Sequence, residues 1–76
     1  MEKLKQILAK VLEIDPAAIT DETSPQNTAS WDSFNGLLLV TELEKGFDVK
    51  FTIDEVTAVK NVSDIKKALI KHGVQL

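Results

Sequence analysis

Apolar residues recur at helical spacing from the start of the chain. Leu4, Ile7, Leu8, Val11 and Leu12 fall at i, i+3, i+4, i+7 and i+8, with Glu2, Lys3, Lys5, Gln6, Lys10 and Glu13 on the opposite face. This is the pattern of an amphipathic helix laid on a core. Asp15-Pro16 is expected to end it, because the residue before a proline is pushed out of the helical region. From 15 to 32 the periodicity gives way to turn formers, among them Pro16, Thr20, Asp21, Ser24, Pro25, Asn27 and Ser30. This segment reads as a long loop pinned to the core by Ile19. A loop of more than ~12–15 residues is uncommon in a small domain and often functional.

A second helix is predicted from Ser33 to about Lys45, with Phe34, Leu37, Val40 and Leu43 on one inward face, Leu39 and Phe47 at its edge, and Gly46 as its stop. Leu37-Leu38-Leu39-Val40 is apolar all round, as in a central helix packed on several sides. Phe47 to Phe51 alternates like a short strand but has no evident partner, so it is taken as an ordered connector. Thr52 and Glu55 are spaced as a capping box opening a short third helix near 53–59, with Val56 and Val59 inward. Asn61 and Asp64 make a weaker start for a last helix, with Val62, Ile65, Ala68 and Leu69 inward and Gly73 as its stop. The fold class is all-α: a four-helix bundle of three longer helices and one short one, with a long first loop, and residues 1–76 form a single domain.

Length and composition narrow the chemistry. The 76 residues suffice for one small core. There is no cysteine, so disulfides, thiolate metal sites and a protein-borne catalytic thiol are excluded, and one histidine, His72, makes neither a metal cluster nor a triad. The net charge of −3 argues against nucleic-acid binding. No apolar run approaches the ~20 residues of a membrane span. Lys3, Lys5, Lys10 and Glu13 interrupt any signal-peptide core, so a cytoplasmic protein without membrane insertion is expected. Nothing indicates stable oligomerisation, and a monomer is expected.

The candidate chemistry lies at Asp32-Ser33, where the long loop meets the second helix. A helix N-terminus offers unpaired N–H groups and the positive end of the dipole, both suited to a phosphate. The same dipeptide is also an ordinary N-cap, and the residues alone leave Ser33 as either cap or handle. Trp31, just before it, anchors the loop or flanks whatever Ser33 holds. Phe34 packs into the core or covers whatever Ser33 holds, and the core is the expected place for a large apolar residue at helical spacing. Leu38 turns partly toward solvent and Thr41 lies beside it on the helix, which makes Phe34, Leu38 and Thr41 the candidate partner contacts. Asp54 and Glu55 read as helix-capping acids and not as metal ligands. His72 suits the end of the last helix and is given no further role.

Four helices, a long first loop and Asp32-Ser33-Phe34 at the head of the second helix resemble the acyl carrier protein family over essentially the whole chain. The likeness extends to the spacing of Ser33 from Glu44, Phe47, Phe51 and the third helix. It implies a non-catalytic carrier. Ser33 would receive 4′-phosphopantetheine from coenzyme A through a separate, Mg²⁺-dependent phosphopantetheinyl transferase, with Asp32 as the motif neighbour facing that transferase or its metal. Acyl groups would then be carried as thioesters on the arm, which supplies the sulfur that the chain lacks, and acyl-loading and acyl-transferring enzymes would act in trans. Many members have acids along the outer face of the second helix, whereas here the matching positions are Asn35 and Leu38, leaving Glu42 and Glu44 beside Lys45. That departure points to a specialised carrier in lipid, polyketide or related biosynthesis, with a more apolar partner contact. The alternative is an unmodified helical interaction module of the same fold.

Overall fold

The amphipathic stripe at the N-terminus becomes helix α1, Glu2–Leu12, in a computed structural model that describes residues 2–75. Leu4, Leu8 and Leu12 are fully buried along it, and Ile7, Ala9 and Val11 pack at its margins. The helix ends before Asp15-Pro16. Glu13 adopts a left-handed conformation (φ 55°) and Ile14 N–H returns to Ala9 O at 3.2 Å, closing the last turn on its own. Pro16 instead opens a 3₁₀ turn, Pro16–Ala18, which Asp15 caps by accepting the Ala17 N–H at 2.9 Å.

Helix α2 spans Ser33–Phe47, running through Gly46 instead of stopping there, and turns out through Asp48 (φ 54°). Gly46 serves packing: a Cβ at this position would lie 2.8 Å from Ile7 Cδ1, so the bare backbone lets α1 and α2 approach closely. Its inward face also differs from expectation. Leu39 and Leu43 are buried and Val40 half-buried, while Phe34 and Leu37 are 70% and 66% exposed. The stripe at i, i+4 and i+8 formed by Leu39, Leu43 and Phe47 faces the core. Because the helix is apolar all round near its middle, periodicity could not say which stripe would win; the close approach at Gly46 decides it in favour of the Leu39–Leu43 side.

The connector has no strand, and Glu44 orders it: its backbone O accepts Val49 N–H at 3.2 Å and its carboxylate accepts Phe51 N–H at 2.9 Å. Helix α3, Ile53–Ala58, starts with the full capping box. Thr52 Oγ1 accepts Glu55 N–H at 3.1 Å and Glu55 Oε1 accepts Thr52 N–H at 2.8 Å. Helix α4, Val62–Lys71, begins with Asn61 Oδ1 accepting Asp64 N–H at 2.9 Å and buries Val62, Ile65 and Leu69. It ends in a Schellman turn through Gly73 (φ 87°), with Val74 N–H on Leu69 O and Gly73 N–H on Ile70 O.

The long loop is tied down in the middle of the fold. Ile19 is buried, as expected. Thr23 O and Asp21 O accept the Val62 and Ser63 N–H groups, each at 3.0 Å, so the loop supplies partners to the first turn of α4. Lys66 of α4 pairs with the Asp21 carboxylate. The described residues therefore form an all-helical bundle of four α-helices whose loop delivers residues 31–33 to the start of α2. No helix of the described residues is long and apolar enough to cross a membrane.

Candidate functional site

The loop enters α2 through Trp31, which is 7% exposed. Its indole lies over the first turn of the helix, where a Cβ on Gly36 would sit 3.7 Å from Nε1. Asn35 ties the same turn back to the loop by donating Nδ2–H to Ser30 O at 2.7 Å. Trp31 thus anchors the loop and also lines the space beside Ser33.

At the next two residues the capping role falls to Asp32. Asp32 is the N-cap: its backbone is extended, its Oδ1 accepts Asn35 N–H at 2.9 Å, and its O accepts Gly36 N–H at 2.8 Å. Ser33 is the first helical residue and is exposed. Among the described residues its hydroxyl has no hydrogen-bond partner, and the N–H groups of Ser33 and Phe34 have none either. A nucleophilic oxygen at the surface, two free amide donors and the positive end of a 15-residue helix converge there. That donor set fits a phosphodiester on Ser33.

The outer face of α2 runs from this point as an apolar strip. Phe34, expected in the core, is exposed, as is Leu37; Leu38 is 40% exposed, in keeping with its expected partial turn toward solvent. Thr41 is also exposed and donates its hydroxyl to Leu37 O at 3.1 Å. The acids of the helix lie elsewhere. Glu42 faces Lys10 at 3.7 Å and Lys45 at 3.8 Å, and Glu44 is engaged by the connector. The strip beside Ser33 therefore carries no carboxylate from α2.

Beneath Ser33 lies a cavity of about 190 Å³. Its walls include Val40 and Leu43 of α2, Val56 of α3, Val59 at the C-cap of α3 and Ile65 of α4, and the exposed Ser33 is part of its lining. Glu55, read in the sequence as a capping acid, has a second partner in the fold. His72 Nε2 lies 2.9 and 3.0 Å from its two carboxylate oxygens, and the Phe51 ring meets the imidazole edge-on at 5.4 Å. The Thr52 N–H, then the bond to His72, hold the Glu55 carboxyl below its ordinary range. Sequence reasoning gave His72 no role, and no local signal pairs two residues this far apart.

A protein-family model described as the phosphopantetheine attachment site matches residues 2–69. The chain belongs to the acyl carrier protein family. It is 32% identical over 73 residues to an acyl carrier protein of Brachyspira hyodysenteriae, covering 95% of this chain and 94% of that protein. It is 32% identical over 65 residues to an acyl carrier protein of Thermosynechococcus vestitus, covering 86% of this chain and 80% of that one. Members are non-catalytic carriers, so this chain serves enzymes and is not one itself, and its cofactor is phosphopantetheine.

Proposed function

We propose that Ser33 is the attachment point of 4′-phosphopantetheine and that residues 1–76 act as a single carrier domain for acyl groups in a specialised lipid, polyketide or related biosynthetic pathway. The observation that carries this reading is the division of labour at the head of α2: Asp32 does the capping, and Ser33 keeps its hydroxyl and its N–H group unengaged. In the modification step the Ser33 Oγ–phosphorus bond forms as the pyrophosphate bond of coenzyme A breaks. The serine proton is lost and adenosine bisphosphate leaves. Once bound, the arm supplies a terminal thiol that holds acyl groups as thioesters. Asp32 stands beside the reacting oxygen as the contact for the transferase or its metal. The cavity walled by Val40, Leu43, Val56, Val59 and Ile65 shelters the apolar part of the cargo.

Phe34, Leu38 and Thr41 are the proposed partner contacts. The exposed apolar side chains beside Ser33, with the α2 carboxylates engaged elsewhere, support partners that bind through apolar surface and not through rows of basic residues. These enzymes act in trans on a monomeric carrier in the cytoplasm.

The test is the intact mass of the protein before and after incubation with coenzyme A, Mg²⁺ and a broad-specificity phosphopantetheinyl transferase. The wild type gains one phosphopantetheine and Ser33→Ala gains none, although Ser24, Ser30 and Ser63 remain. Loading of Ser33→Ala would refute the assignment. A folded wild type that no transferase loads would point to an unmodified module that binds its partner through the α2 strip.

A further inference from the structure

The cavity shares part of its lining with a surface groove, and one polar pair lies at that seam. Glu55, Val59 and Ala68 line the interhelical cavity on one side. On the other side the same three residues line a surface groove of about 220 Å³, shared with Asp64, Lys67 and Lys71. They form the partition between an apolar interior and a charged exterior. Glu55 belongs to α3, a six-residue helix with no fully buried side chain, and Val59 is its C-cap. A helix this short has little stability of its own, so its position depends on what it is tied to. Its start is fixed by the capping box. Across the seam to α4, Glu55 grips His72 through both carboxylate oxygens, and Phe51 backs the imidazole.

We infer that the Glu55–His72 pair is a size-determining latch: it fixes the depth of the cavity and so limits the acyl groups this carrier shelters to short chains. A void of ~150 Å³ accepts a benzene molecule, so the 190 Å³ here holds a chain of about six carbons. A longer chain meets the Glu55–Val59–Ala68 partition and must part α3 from α4 or remain in solvent. The inference rests on Ser33 carrying the arm only for its cargo; the partition itself is a property of the unmodified protein.

Two variants release the latch while sparing the rest. His72→Phe keeps a ring against Phe51 and loses the polar bond. Glu55→Gln keeps an oxygen to accept the Thr52 N–H and loses the charge that grips His72. Carriers loaded with butanoyl, hexanoyl, octanoyl and decanoyl groups are compared by the methyl NMR shifts of Val56, Val59 and Ile65 and by the rate of thioester cleavage with hydroxylamine. In the wild type, hexanoyl moves the methyl signals and is protected several-fold over decanoyl. In both variants the limit moves to the longer chains, and decanoyl gains protection. The same limit in all three proteins overturns the proposal, as does a wild type that protects decanoyl as well as hexanoyl.

A second arm uses the unmodified protein. Benzene shifts the cavity methyls in all three proteins, and naphthalene does so only in the variants. If naphthalene discriminates but Ser33 accepts no arm, the latch stands and the attachment reading falls. If the arm loads but neither series separates wild type from variants, the latch falls and the attachment reading stands.

Discussion

The two sides of α2 are built on different principles. Toward α1 it is closely packed: Leu39 and Leu43 join Leu4 and Leu8 in one buried cluster, and Gly46 brings the backbone close to Ile7. Toward α3 the walls are half-buried valines around a cavity, and the short helix is held by the capping box and by Glu55 on His72. The first side specifies the fold, because dense apolar packing tolerates few alternatives. The second gives up packing for a space beside Ser33, and polar contacts that can be broken singly take over the positioning. On the proposed reading a carrier needs both, a frame that presents Ser33 invariantly and a wall whose hold sets how much cargo it admits.

The sharpest way to break this contrast is to remove matched apolar groups on the two sides. Leu8→Ala deletes a fully buried side chain from the close-packed side and is expected to cost about 2–5 kcal/mol, enough to unfold much of the population of so small a domain. Val56→Ala trims a half-buried side chain that already faces a void, and its expected cost is below about 1.5 kcal/mol. Urea denaturation of both variants measures the difference. Equal costs would mean that the α3 side is packed as tightly as the α1 side.

Next in size is the cap of α3. Thr52→Ala removes the hydroxyl that accepts Glu55 N–H and is expected to cost about 1 kcal/mol. On a short helix held apart from the main core, this loss should appear locally: amide exchange in α3 accelerates about fivefold, the factor that ~1 kcal/mol represents, with little change in α1. Uniform acceleration through all the helices would show that α3 is part of one cooperative unit with the close-packed side.

The contrast also explains what could be read from the chain. Helices α1 and α4 were legible because one face of each is apolar and the other charged, and the α3 start was legible because a capping box is a local pattern. The inward face of α2 was not. Its middle is apolar all round, and the selection of Leu39 over Leu37 depends on α1 approaching at Gly46, a contact across the fold. Gly46 itself looked like a stop because glycine does both jobs, and spacing does not separate a terminator from a close-packing site. At the candidate site, the sequence points to Asp32 and Ser33 together, and only the backbone separates them: the extended conformation of Asp32 makes it the cap and leaves the Ser33 hydroxyl unengaged. The Glu55–His72 bond joins residues from different helices and had no signal in the pattern.

A smaller effect is expected on the exposed strip. Leu38→Asn should cost less than about 1 kcal/mol, because the side chain is 40% exposed. Transfer from the loaded carrier to its cognate enzyme should slow at the same time. Unchanged transfer would remove Leu38 from the partner surface and confine recognition to the arm and the first turn of α2.

The least effect expected, and the one most specific to the α3 side, is a dependence on acid. The carboxyl of Glu55 lies below its ordinary 4.5 in the folded chain because Thr52 N–H and then His72 bond its charged form. A carboxyl that is more acidic when folded adds stability above its unfolded value, and that stability is lost as pH falls through the lower, folded value. The stability difference between wild type and Glu55→Gln, read as melting temperature, should therefore shrink as pH falls below 4.5 and through the lower, folded value. Because the pair is partly open to solvent, added salt should shrink the difference. Parallel curves through the acid range would mean that the latch is held by shape and not by charge. The α3 side would then resemble the close-packed side more than its half-buried walls suggest.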